Sequence, residues 1–257
     1  GQRIQPLALE ACVDLVRQLA LEEARPVDLR ALRRGVGHLG GDLAGVELAA
    51  VGVEQGLRAL ELPTHPREGL SLSALEYALE QKRDVKILEV GFGTGLNAIL
   101  TLPYALSQQA FIQYDTLEKY PLTTEVVEQL HFEQFILNPE QLDYFKQMHA
   151  SPWNEPADLS PYFTLQKIHE TLEEFSPPDA YYDVIYFDAF APEKQPELWT
   201  AEVFAKLYKA VRPGGVLVTY CAKGAFKRNL KAAGFIVEAL PGPPGKREMT
   251  RGIKQVL

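Results

Sequence analysis

The segment Leu88-Glu89-Val90-Gly91-Phe92-Gly93-Thr94-Gly95-Leu96-Asn97 sets glycines at alternate positions between a β-rich run and a helical one. Glycine lets a backbone turn tightly and approach a ligand closely, and the helix start that follows offers unpaired N–H groups. A small charged or polar ligand suits such a turn, with Glu89, Gly91, Phe92, Gly93, Thr94, Gly95 and Asn97 as its candidate contacts. The spacing is G-x-G-x-G, not the G-x-G-x-x-G of dinucleotide binders, and an acid stands two residues before the first glycine. That combination suits the amino-acid part of S-adenosylmethionine better than a pyrophosphate. The bland alternative is a tight strand-to-helix loop with no ligand.

Further acids fall where such a unit would use them. Leu117-Glu118-Lys119-Tyr120-Pro121 closes the next β-rich run, and an acid at that strand end can hold two ribose hydroxyls with one carboxylate. Glu118, with Lys119 beside it, is the candidate; the alternative is an ordinary surface acid. Glu170, just past the third strand, is a candidate for the adenine end. Asp188 closes the fourth strand in Tyr186-Phe187-Asp188-Ala189-Phe190-Ala191-Pro192. Ligands bind outside the carboxyl ends of strands in open α/β sheets, so Asp188 is the candidate catalytic carboxylate, although such an acid also serves as a loop cap. The Pro-punctuated loop that follows would frame an acceptor with Phe190, Pro192 and Lys194, while Trp199 reads as core packing. His131, His149 and His169 have no ligand-like spacing and read as structural. Cys12 and Cys221 lie far apart, so neither a metal site nor a disulfide is expected.

The elements that must position these residues alternate. Val85–Val90, Phe111–Glu118, Tyr162–Ile168, Tyr182–Phe190 and Gly215–Cys221 read as strands, with helical stretches at Gly95–Ser107, Pro121–Leu130, Pro139–His149, Thr200–Val211 and Ala222–Ala233. The pattern predicts an α/β fold with a mostly parallel, Rossmann-like sheet and helices on both faces. Phe235–Leu240 and Arg247–Val256 would add an antiparallel pair at its edge. Composition changes near residue 77: before Tyr77 there is no aromatic residue, no Lys and no Asn. Residues 1–76 read as a helical extension and 77–257 as the catalytic domain.

The 257 residues, 46% apolar and 23% charged, suit a sizeable core. No apolar run is long enough to cross a bilayer, which points to a cytoplasmic protein. The net charge of −8 argues against a polyanionic partner, yet Cys221–Leu257 carries eight basic residues against two acidic, a local balance of +6. Lys223, Lys227, Arg228 and Lys231 recur at helical spacing, and Lys246 with Arg247 follows Pro241-Gly242-Pro243-Pro244-Gly245. Such a face would suit nucleic-acid phosphates; the alternative is a set of solvated helix faces.

Five blocks, EVGFGTGLN, LEKYPL, YFDAFAPEKQPELW, VRPGGVLVTYCAKGAFKRNLKAAGF and LPGPPGKREMTRG, make the stretch from about residue 84 to 254 resemble the tRNA 5-methylaminomethyl-2-thiouridine methyltransferase family. The resemblance implies a class I methyltransferase fold, S-adenosylmethionine as donor and no metal. It also implies the 5-aminomethyl group of wobble uridine 34, in a tRNA anticodon stem-loop, as acceptor. It places the catalytic role on Asp188, the donor at Glu89, Gly91, Gly93 and Gly95, and the ribose on Glu118; Asp188 is also counted among the expected donor contacts. Residues 1–76 depart from the β-rich start of that family. The chain stops soon after KREMTRG, which implies the single-activity form without the oxidase domain. Two other readings stay open: an amine transferase of the aminopropyltransferase type, and a non-catalytic binding protein. Intact Glu89, Glu118 and Asp188 speak against the last, and the basic C-terminal segment speaks against a free polyamine.

Overall fold

The computed structural model describes residues 70–129, 138–241 and 248–256. The expected extension, apart from residues 70–76, lies outside the described residues, as do Cys12, His131, Lys246 and Arg247. Contacts divide the chain into two units, one of them including residues 120–143. There α3 (Thr124–Gln129) precedes the first turn of α4 (Pro139–Ala150), which Asn138 caps by accepting the N–H groups of Glu140 (2.9 Å) and Gln141 (3.3 Å).

The other unit holds an eight-stranded sheet. Its elements are α1 (Leu70–Leu79), β1 (Asp84–Val90), α2 (Leu96–Gln108), β2 (Phe111–Leu117), the end of α4, β3 (Pro156–Ser160), β4 (Phe163–Ile168) and β5 (Tyr182–Phe187). A 3-10 turn (Pro196–Trp199), α5 (Ala201–Ala210), β6 (Val211–Thr219), α6 (Gly224–Ala232), β7 (Ile236–Pro241) and β8 (Glu248–Ile253) complete it. The strand order is β3-β4-β2-β1-β5-β6-β8-β7, with β4, β2, β1, β5 and β6 parallel and β3, β8 and β7 joined antiparallel. The parallel core and the final pair follow the sequence expectation. Two features do not: β8 inserts between β6 and β7, and β3 forms from Pro-Ala-Asp-Leu-Ser. Poor β-formers give no strand signal there, and pairing with β4 supplies the order.

Every residue of β5 is buried, as a strand covered on both faces must be. Leu88, Val90, Ile185, Phe187 and Leu217 pack with Phe204 and Leu207 of α5 and Phe226 and Leu230 of α6. The period of two turns Ile87, Glu89, Val184 and Tyr186 to the opposite face, where α1 lies against β1, β5 and β6 with Ala74, Leu75 and Ala78 buried. α1 spans the boundary expected between residues 76 and 77. At the amino end of β5, Asp183 is wholly buried at its side chain; it accepts the Lys86 N–H (2.7 Å) and pairs with Lys82 (2.9 Å) and with Arg212 Nε. Among the described residues, no helix is long and apolar enough to cross a membrane.

Candidate active site

The glycine turn joins β1 to α2 at the carboxyl end of the sheet. Gly91, Gly93 and Gly95 all have positive φ (96°, 52° and 75°), which L side chains rarely adopt. The N–H groups of Gly91 and Phe92 both donate to the Leu117 carbonyl (3.0 and 3.1 Å), and Gly95 N–H closes on Phe92 O at 2.8 Å. A Cβ on Gly91 would stand 2.9 Å from the Asp188 carbonyl oxygen, so this glycine allows the ends of β1 and β5 to meet. A Cβ on Gly93 would meet nothing within 4 Å; its backbone borders open space. Phe92, Thr94 and Asn97 are buried within the turn.

Four side chains, Asn97, Glu89, Asp188 and Thr116, link the turn to the sheet. The Asn97 amide Nδ2 donates to Glu89 Oε1 and to Asp188 Oδ2, each at 2.9 Å, using both hydrogens. The other Glu89 oxygen accepts from Thr116 Oγ (2.8 Å) on the neighbouring strand. Glu89 is fully buried, and burial raises its pKa to about 8, against the opposing effect of the Asn97 and Thr116 hydrogen bonds and with help from the Asp188 charge. Asp188 is exposed, its own N–H bonded to Val90 O at 3.1 Å. A buried carboxyl and an accessible carboxylate therefore share one amide.

Glu118 follows β2, half-buried, and accepts the Gly93 N–H at 3.0 Å. The expected ribose acid and the glycine turn are thus in direct contact. Lys119 beside it is exposed, and Glu170 is half-buried two residues past β4.

The loop after Asp188 folds back on itself. Ala191 O accepts from the N–H groups of Lys194 (2.7 Å) and Gln195 (3.2 Å), and Gln195 Oε1 accepts from Phe190 N–H (3.3 Å). Trp199 lies in the core, edge-on to Phe187 and Phe226, and donates its indole N–H to Phe190 O at 2.8 Å. It is the packing residue the sequence suggests and also the pin of the loop. Phe190 and Pro192 are half-buried and Lys194 exposed. Of the expected basic face, Lys223 pairs with Glu193 of this loop and Lys227 with Glu248 (2.6 Å), while Arg228 and Lys231 are exposed. Arg251 bonds Glu238 (2.8 Å), and Lys254 Nζ caps carbonyls of Tyr208 and Val211 (2.7 Å each). Part of the +6 balance is therefore used inside the fold.

Sequence reasoning misses Thr116, His149 and Lys167. Thr116 reaches Glu89 only because β1 and β2 pair with Glu89 opposite Thr116. His149 Nε2 lies 3.1 Å from Thr94 O; a carbonyl only accepts, so that nitrogen carries the hydrogen. Its burial lowers the pKa to about 4, so the ring is neutral at ordinary pH. Among the described residues no group of His, Cys, Asp and Glu is arranged to hold a metal ion.

Residues 141–255 match the family model described as S-adenosyl-L-methionine-dependent methyltransferase. Together with the sheet order and the glycine turn, this defines an S-adenosylmethionine-dependent methyltransferase domain. The chain is related to the tRNA 5-methylaminomethyl-2-thiouridine biosynthesis bifunctional proteins MnmC of Pseudomonas fluorescens (32% identical over 172 residues) and Pseudoalteromonas atlantica (35% over 187 residues). These matches cover 64% and 65% of this chain, which spans about a quarter (26%) of each relative. The solved structure of MnmC2 from Aquifex aeolicus shares the fold at a TM-score of 0.51 and 19% identity, over 80% of this chain and 61% of that one. The residues suit the donor: open backbone at Gly93, a buried acid beneath the turn, and an acid at the end of β2.

Proposed function

We propose that this domain methylates the 5-aminomethyl group of wobble uridine 34 in tRNA, forming 5-methylaminomethyl-(2-thio)uridine. The observation that carries this reading is the Asn97 amide, which ties exposed Asp188 to buried Glu89 and keeps its carboxylate beside the glycine turn. The names of the relatives supply the substrate class. S-adenosylmethionine, when bound, supplies a methyl group on a sulfonium for in-line attack by an amine. Glu89, Gly91, Phe92, Gly93, Thr94, Gly95 and Asn97 hold its amino-acid end, Glu118 with Lys119 its ribose, and Glu170 its adenine side. Asp188 accepts a hydrogen bond from the acceptor amine, orients its lone pair and takes the proton lost. Phe190, Pro192 and Lys194 frame the acceptor. Lys223, Lys227, Arg228, Lys246 and Arg247 meet tRNA phosphates, the first two by exchanging their present carboxylate partners. The test is labelled methyl transfer to tRNA lacking the final wobble methylation, beside spermidine and putrescine. Label is expected in the tRNA alone, and label in a polyamine overturns the reading.

Two further results are expected. Arg228→Ala raises the tRNA KM by about three- to tenfold near 0.1 M salt, and the logarithmic salt dependence of tRNA binding loses about one ion. Donor affinity, measured by calorimetry, stays unchanged. The second concerns Glu89, whose pKa in the free domain is raised to about 8. The unfolded chain releases this proton near pH 4.5, so the free domain binds the extra proton and loses stability as pH climbs through neutrality to about 8. A cationic donor beside Glu89 favours the ionised form, so its association near pH 7 releases part of a proton. Calorimetry in buffers of different ionisation enthalpy measures this, and Glu89→Gln removes it.

A further inference from the structure

The end of α4 presses on the glycine turn from behind. Helix ends leave carbonyls without intrahelical donors, and here Lys167 Nζ donates to His149 O (2.9 Å) while Ser151 Oγ donates to Met148 O (2.7 Å). Lys167 is 1% exposed, on β4, and its ammonium stands 4.9 Å above the Trp153 ring and 5.9 Å from that of Phe92. Strand pairing sets Lys167 opposite Thr116 and Thr116 opposite Glu89, so one row across the sheet joins the helix anchor to the buried acid. A cation at a helix carboxyl end is favourable, and this one fixes the last turn of α4 to the sheet.

From that fixed turn, the His149 ring packs on Phe145 (4.5 Å) and Phe92 (5.5 Å) and bonds Thr94 O. A Cβ on Gly95 would strike Met148 Cε at 2.8 Å, Phe92 Cζ at 3.1 Å and His149 Nε2 at 3.3 Å. The peptide between Thr94 and Gly95 is thereby held at both ends, its carbonyl by His149 and its N–H by Phe92 O. Reversal of that peptide would break both bonds and move a carbonyl to the opposite side of the turn.

We propose that His149 is a positioning residue for the donor turn, locking the Thr94–Gly95 peptide by its imidazole N–H from a helix end that Lys167 anchors. The inference rests on the reading that S-adenosylmethionine occupies this turn. Loss of the bond leaves a buried carbonyl unpaired, so His149→Phe is expected to raise the donor Kd and donor KM about ten- to hundredfold. The tRNA KM and the kcat at saturating donor stay within about threefold, as expected of an effect on ground-state donor binding. His149→Gln, whose amide N–H can take the place of Nε2, restores donor affinity; Lys167→Met weakens it in the same direction. Long-range proton–nitrogen NMR of the unaltered protein at pH 7 should find His149 neutral with its hydrogen on Nε2. This measurement does not depend on any variant folding. A ring carrying its hydrogen on Nδ1, or a folded His149→Phe protein with unchanged donor Kd, overturns the inference. If the unaltered protein gives no heat with S-adenosylmethionine, the donor reading itself falls, and this inference falls with it.

Discussion

Asp188→Asn is expected to lower kcat for methyl transfer by about a hundred- to ten-thousandfold, the range for losing a positioned proton acceptor. The substitution keeps an oxygen to accept from the Asn97 amide, so the ends of β1 and β5 stay tied. What it removes is the basicity that takes a proton from the incoming amine. Donor Kd, measured by calorimetry, should shift by no more than about threefold, since an interaction made only in the transition state leaves ground-state binding unchanged. Retained turnover would end the role given to Asp188. Loss of donor binding together with turnover would move this residue into the donor site.

The second large effect concerns Asp183, at the amino end of the strand that Asp188 follows. Asp183→Ala is expected to destabilise the domain by roughly 2–4 kcal/mol, below the upper values for a buried pair because Arg212 and Lys82 are partly exposed and stay solvated. For a domain of this size that corresponds to a fall in Tm of about 5–15 °C. The Asp183 carboxylate holds the Lys86 backbone N–H and two cations at the amino end of the sheet, remote from the glycine turn at its carboxyl end. Thermal unfolding should therefore change while donor Kd, taken well below the transition, does not. An unaltered Tm would show that the charges gain nothing from this arrangement.

The two aspartates show what sequence reading can single out and where it stops. Asp188 is legible because a loop rich in proline follows it and strand ends in parallel sheets face ligands. Asp183 carries no such signal: its partners are distant in the chain or lie on other elements, and only the pairing of β5 with β6 and β1 gathers them. Asn97 lies between these cases. Its place after the glycines marks it as a candidate donor contact, but nothing in the spacing says that its amide bridges Glu89 to Asp188, 91 residues further on. His149 and Lys167 are less legible still, since no ligand-like spacing singles out that histidine and a lysine within a strand reads as a surface residue.

The order of residues alone determined the alternation of strands and helices, the glycine turn with its acid, and the acids at successive strand ends. Each of these depends on periodicity or on backbone conformations that local residue types impose. The insertion of β8, the β3 pairing, the use of C-terminal cations in internal ion pairs, and the clamp behind the turn were decided only by the tertiary structure. Those features depend on which groups meet across the sheet, and burial then sets their energies: it raises Glu89 to about pKa 8 and lowers His149 to about 4, because a charge removed from water needs a partner that only the folded chain brings within reach.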